Sequence, residues 1–213
     1  MRRHSRFIRS RPILGRPIPR RLALAPAALL ILALAGCGLE TPSPSTGYLP
    51  ANAFGNSVTG EDPAMAAISE AAYAFAHPRY MRGKPAQMAL AVACLDAMAG
   101  QFSTSGRWIG MNSLIKMQML QARSKVRGIL GIPDSVPSQT VIDAMVAASH
   151  ALADGDQKTA ESALAVPGFT RPPARMIATL ADFPRVPVAN VATMRAQRNF
   201  LPGGGGPFGG AFN

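Results

Sequence analysis

Thiols, imidazoles, hydroxyls and carboxylates are the side chains that serve as nucleophile, general base or metal ligand, and this 213-residue chain uses them sparingly. Its three histidines are His4, His77 and His150, and its two cysteines are Cys37 and Cys94. A metal centre wants three or four converging ligands. His77 precedes a proline and His150 sits in an alanine-rich run, so no metal is expected. Ser149 and His150 are neighbours on an expected helix and point about 100° apart, which does not set a nucleophile against its base. Asp96 and Asp143 fall inside expected helices, and Asp154, Asp156 and Asp182 near helix ends. Caps and solvated faces account for these, and Asp96 and Asp143 form an acid–base pair only if tertiary structure brings them together. Cys94 lies in the apolar run from Met88 to Met98 with no His or basic residue beside it. It reads as a small buried hydrophobe, because a thiol needs a neighbouring positive charge to become reactive. No catalytic residue, cofactor or disulfide framework is expected.

Cys37 stands in a different setting. Before it come an arginine-rich start, an apolar run of 15 residues from Leu22 to Gly36 interrupted by Pro26, and small residues. That order is the grammar of an export signal, and the run falls short of the about 20 residues that span a bilayer as a helix. Leu34-Ala35-Gly36-Cys37 resembles the lipobox of bacterial lipoprotein precursors. The resemblance implies cleavage between Gly36 and Cys37, a diacylglyceryl thioether on the Cys37 sulfur, and often acylation of the freed amine. Two or three acyl chains anchor firmly where one holds only marginally. Gly38 stands where an aspartate implies inner-membrane retention in enteric-type sorting, so the resemblance leans toward an outer-membrane protein facing the periplasm, with the inner membrane as alternative. The Arg20-Arg21 pair raises the twin-arginine export route, although Pro19 replaces the usual Ser or Thr before it.

The overall charge of +11 is a product of this leader. Eight of the 22 basic residues precede Cys37 and all 11 acidic residues follow it, which leaves 14 basic against 11 acidic side chains, a formal +3. Such a balance requires no nucleic acid partner.

Beyond the leader, Pro, Ser, Gly and Asn are dense through residues 37–61, which predicts a flexible tether with a reach of some 25 to 30 Å. Residues 62–200 read as helices. Asp62-Pro63 is a start signal followed by Met65, Ile68, Ala72 and Phe75 at spacings of three and four, and His77-Pro78 is a stop. A second helix from Pro85 carries Met88, Val92, Leu95, Met98 and Phe102. A third from Arg107 to Leu130 has Trp108, Met111, Ile115, Met119, Ala122, Val126 and Ile129 on one face and Leu114, Met117 and Leu120 opposite, which predicts a central helix packed on both sides. Lys116, Arg123 and Arg127 beside its first stripe form a candidate basic surface, or lay their stems along apolar neighbours with charges in water. Further helices are predicted at Ser138 to Ala153, after Asp156 to Leu164, from Pro172-Pro173 to Asp182, and from Pro187 to Asn199. The hairpin at Ala151 to Ala160 is similar to one tetratricopeptide unit, but steps of 34 residues find no second copy. Residues 201–213, with four glycines at 203–206, read as a disordered tail; no strand precedes the glycines and no Lys-Ser/Thr follows, so no phosphate loop is indicated.

These features predict an all-α domain of six or seven helices around a central one, with no strands. The expected role is a non-enzymatic envelope lipoprotein, held to a membrane through Cys37, that meets a protein partner or serves in assembly. The alternative is a small apolar ligand or lipid-binding module in a groove lined by some of the ten methionines after Cys37.

Overall fold

The computed structural model describes residues 44–55 and 62–200, all within one compact unit that begins at Ser43. The expected leader 1–36, the cleavage pair Gly36 and Cys37, the tether portions 37–43 and 56–61, and the tail 201–213 lie outside the described residues.

The described residues are about 70% helical without a strand, as the periodicity predicts. Eight α-helices follow one another: α1 (Pro63–Ala76), α2 (Pro78–Met81), α3 (Pro85–Thr104), α4 (Ser113–Leu130), α5 (Ser138–Ala153), α6 (Gln157–Leu164), α7 (Pro173–Ala181) and α8 (Pro187–Phe200). Their starts follow from local chemistry. Asp62 Oδ1 accepts a hydrogen bond from the Ala64 N–H at 3.0 Å, and Asp156 Oδ1 accepts from the Thr159 N–H at 3.0 Å. Proline opens α1, α2, α3, α7 and α8, where its missing N–H is not needed. α4 ends on Gly131 at φ 72°, with Ile132 N–H donating to Arg127 O and Gly131 N–H to Gly128 O, the paired bonds of a left-handed C-terminal cap.

The central helix is α3, which corrects the expectation placed on 107–130. Every residue from Ala91 to Gly100 is buried, and α1, α4, α5 and α7 all pack against α3. Its alanines leave room for close approach on every side, and a helix apolar all round is buried all round. The segment 107–130 is instead broken: Gly106–Trp108 is a single 3-10 turn, and a new helix begins at Ser113, capped by the Asn112 side chain on the Leu114 N–H at 2.8 Å. Only one face of α4 is covered, since Leu114 and Met117 are 48% and 60% exposed. At one end of the bundle Trp108 meets Phe102 and Phe200 edge-on, with centroids 5.1 and 5.2 Å apart, and Phe102 and Phe200 lie tilted at 6.1 Å, pinning the end of α8 to α3.

Residues 44–55 correct the expected tether over that stretch. Gly47 and Ala53 are buried, Gln101 Nε2 donates to Gly47 O at 3.0 Å, and Tyr48 and Gln139 exchange backbone–side-chain bonds at 2.9 and 3.0 Å. The glycine and small residues that suggest a linker serve here as close-packing positions. A Cβ on Gly47 would stand 2.5 Å from Ile142 Cδ1, and one on Gly100 would stand 2.7 Å from Ser45 O.

Candidate functional site

The expected basic surface does not form. Arg127 is 1% exposed and lies under the junction of α3 and α5. Its Nε donates to Asp96 Oδ2 at 2.6 Å and its Nη2 to Asp96 Oδ1 at 2.8 Å, while Nη1 reaches Val136 O at 2.8 Å and Nη2 reaches Ser138 Oγ at 3.1 Å. A planar fork with five donors suits this enclosure, and a lysine would not. Arg123, one turn back, is half-buried; its Nη1 donates to Ser45 O at 3.0 Å and Ser138 Oγ at 3.1 Å, tying the 44–55 segment to the bundle. Burial lowers the affinity of the Arg123 guanidinium for its proton, an effect opposed by Asp96. Lys116 is half-buried on the same flank of α4. The physical reason for the correction is that this flank of α4 faces α3 and Ser138 at the start of α5, so the guanidinium beside the apolar stripe had to be paired.

Asp96 is therefore spoken for, and Asp143 sits exposed with its Oδ1 accepting from Gln139 Nε2 at 2.8 Å. The two carboxylates do not form an acid–base pair. Cys94 is fully buried, and burial followed by the nearby Glu70 pushes its thiol well above the ordinary range. His77 is exposed, its Nδ1 donating to Tyr73 O at 2.9 Å. Ser149 donates to Ala86 O at 2.8 Å. Met81, Met88, Met98, Met111, Met119, Met145 and Met176 fill the core. The two clefts of about 740 and 760 Å³ have no methionine in their walls.

Of the sequence candidates, His77 and Asp182 line one cleft, and Ser149 and His150 line the cleft that also holds Glu70. The cleft, about 740 Å³, lies between α1, α2, α3, α5 and residues 53–55. α1 contributes Glu70 and Tyr73, three residues apart on one face; α2 contributes Tyr80, α3 Gln87, the docked segment Phe54, and α5 His150. His150 Nε2 lies 3.4 Å from Ala53 O, which joins α5 to the same segment. Burial raises the Glu70 carboxyl above its ordinary range. Glu70 makes no hydrogen bond or ion pair among the described residues. Tyr73 and Tyr80 meet edge to face at 5.6 Å, and the Lys84 ammonium stands 3.1 Å from the centre of the Tyr80 ring. That ammonium bonds and attracts the Tyr80 phenolate, lowering its pKa, while burial and then Tyr80 raise that of Tyr73.

A second cleft of about 760 Å³ is ringed by His77, Arg79, Arg82 and Arg185, with the exposed pair Arg82 Nε to Asp182 Oδ1 at 3.0 Å on its rim. Its arginines are all exposed, so it offers no enclosed polar group. Sequence reasoning passed over Glu70, Tyr73 and Tyr80. The available signal was an acid and a tyrosine three apart on α1, among alanines that bury the rest of the helix.

The fold and cleft together define a small all-α domain with a lone carboxylate set among aromatic rings. Comparison with family models, with curated proteins and with solved structures found no match to this chain.

Proposed function

We propose that the mature protein is a non-enzymatic lipoprotein of the bacterial envelope, anchored through acyl chains on Cys37, whose α-helical domain meets a protein partner at the membrane. The observation that carries the anchor is Leu34-Ala35-Gly36-Cys37 at the end of an apolar run too short to span a bilayer. Among the described residues no helix is long and apolar enough to cross a membrane. The interaction role is supported by the uncovered face at the start of α4, where Ile109, Leu114 and Met117 are 86%, 48% and 60% exposed. Exposed apolar side chains grouped on one helix end mark contact surfaces more often than isolated ones do.

Two measurements test this reading. Mass spectrometry of the protein extracted from native membranes should find Cys37 as the first residue, carrying acyl chains; residues 1–36 still attached, or an unmodified thiol, defeats the anchor. Crosslinking in intact cells should capture a discrete partner, lost in a Leu114→Glu, Met117→Glu variant. The interaction role fails if no partner is captured and the purified protein turns over a substrate.

A further inference from the structure

We infer that the cleft at Glu70 is a binding site for a protonated amine with an apolar body, the ammonium pairing with the Glu70 carboxylate and the body lying against Tyr73, Phe54 and Leu90. The inference is independent of anchoring on Cys37. Four observations lead to it. Glu70 is half-buried in a cleft of about 740 Å³, a size that suits a small organic ligand. It has no hydrogen bond or ion pair among the described residues, and a partly desolvated carboxylate gains most from a cation that reaches it. Among the described residues it is the only acidic side chain in the wall of the cleft, and no Lys or Arg accompanies it there. Phe54, Tyr73 and Tyr80 put aromatic rings in the wall and Leu90 an aliphatic side chain, beside the polar Ser69, Gln87, Ser149 and His150, and aromatic faces attract ammonium groups. The protein already shows the last preference, with the Lys84 ammonium seated on the outer Tyr80 ring.

One carboxylate against several rings selects a monoamine over a polyamine, whose further charges would meet no second carboxylate among the described residues of the wall. Gln87 and His150 stand where they can take the remaining N–H donors of an ammonium or a polar group on the body. The titratable groups around Glu70 are Tyr73 on its own helix, Tyr80 on α2 with Lys84 on its ring, Cys94 within α3 and His150 on α5. Lys84 is a fixed cation beside the cleft, and its ammonium stands on the Tyr80 ring.

The test compares phenethylamine with 2-phenylethanol, which have the same aromatic body and differ in carrying ammonium or hydroxyl. Each is titrated into the full-length protein by calorimetry and by NMR shifts of Glu70 and Tyr73. The amine should bind roughly tenfold or more tightly than the alcohol, the scale of one charge-assisted hydrogen bond. Glu70→Gln, which keeps the shape, should erase that preference while leaving alcohol binding and circular dichroism unchanged. Amine affinity should also fall as pH is lowered through the raised titration of Glu70. Tyr73→Leu should weaken both probes. Equal affinity for amine and alcohol, an unaffected Glu70→Gln variant, or no binding of either probe at millimolar concentration each overturns the inference.

Discussion

Arg127 and Asp96 show at the scale of single residues how charge is accommodated inside an alanine-rich bundle. The guanidinium meets one carboxylate with two bonds and passes its other donors to Val136 O, Ser138 Oγ and, at 3.5 Å, Asp134 O. Removing one member of such a pair strands the other in an apolar interior at a cost of about 3 to 5 kcal/mol, whereas removing both is often neutral. Arg127→Met should therefore destabilise by that order in urea denaturation, and adding Asp96→Leu should restore most of the loss. If the single and double variants unfold at the same denaturant concentration, the pair is not the source of the cost. Glu70 gives a prediction of opposite character. Its carboxyl is raised in the fold by burial, above an unfolded value near 4.5, so the stability it contributes is complete below that value and lost as pH rises through its folded one. Glu70→Gln should thus gain in melting temperature relative to the parent as pH rises from below 4.5 through the raised titration of Glu70, and a constant difference would contradict the assignment.

At the scale of elements the segment 44–55 and three glycines carry the argument. Gly47 and Gly100 are required by contact, since a Cβ at either would meet backbone or the Ile142 methyl group at 2.5 to 2.9 Å. Gly47→Ala should cost about 1 to 3 kcal/mol, the usual penalty of overpacking, and should accelerate hydrogen exchange at the Tyr48 N–H that bonds Gln139. Gly128, exposed on α4 with nothing within 4 Å of its would-be Cβ, is the control. Gly128→Ala should stabilise by about 0.5 to 1 kcal/mol because alanine is the better helix former. Helix starts and stops were legible because they rest on local chemistry: Asp62, Asp156 and the prolines act through atoms a few residues away. The start of α4 was misread because the apolar stripe runs on through Trp108 and Met111, while Gly110 and the Asn112 cap interrupt the backbone beneath it.

At the scale of the whole molecule, α3 is the axis and α4 an outer helix with an apolar end left uncovered. Cys37→Ala should move the protein from the membrane to the soluble fraction on cell fractionation without changing the melting temperature, because the bundle is closed by residues from Ser45 onward. Retention of that variant in the membrane would count against the lipid anchor. By itself the amino-acid sequence determined the helical class, most helix boundaries and the burial of Cys94, because apolar periodicity and capping are local properties of the chain. Only tertiary structure decided which helix is central, that Arg127 answers Asp96 from 31 positions along the chain, and that Gly47 and Ala53 are buried. It also decided that Glu70, Tyr73, Tyr80 and His150 share one cleft. Each of these depends on which helix faces come together, and periodicity along one helix marks an apolar face without saying what covers it.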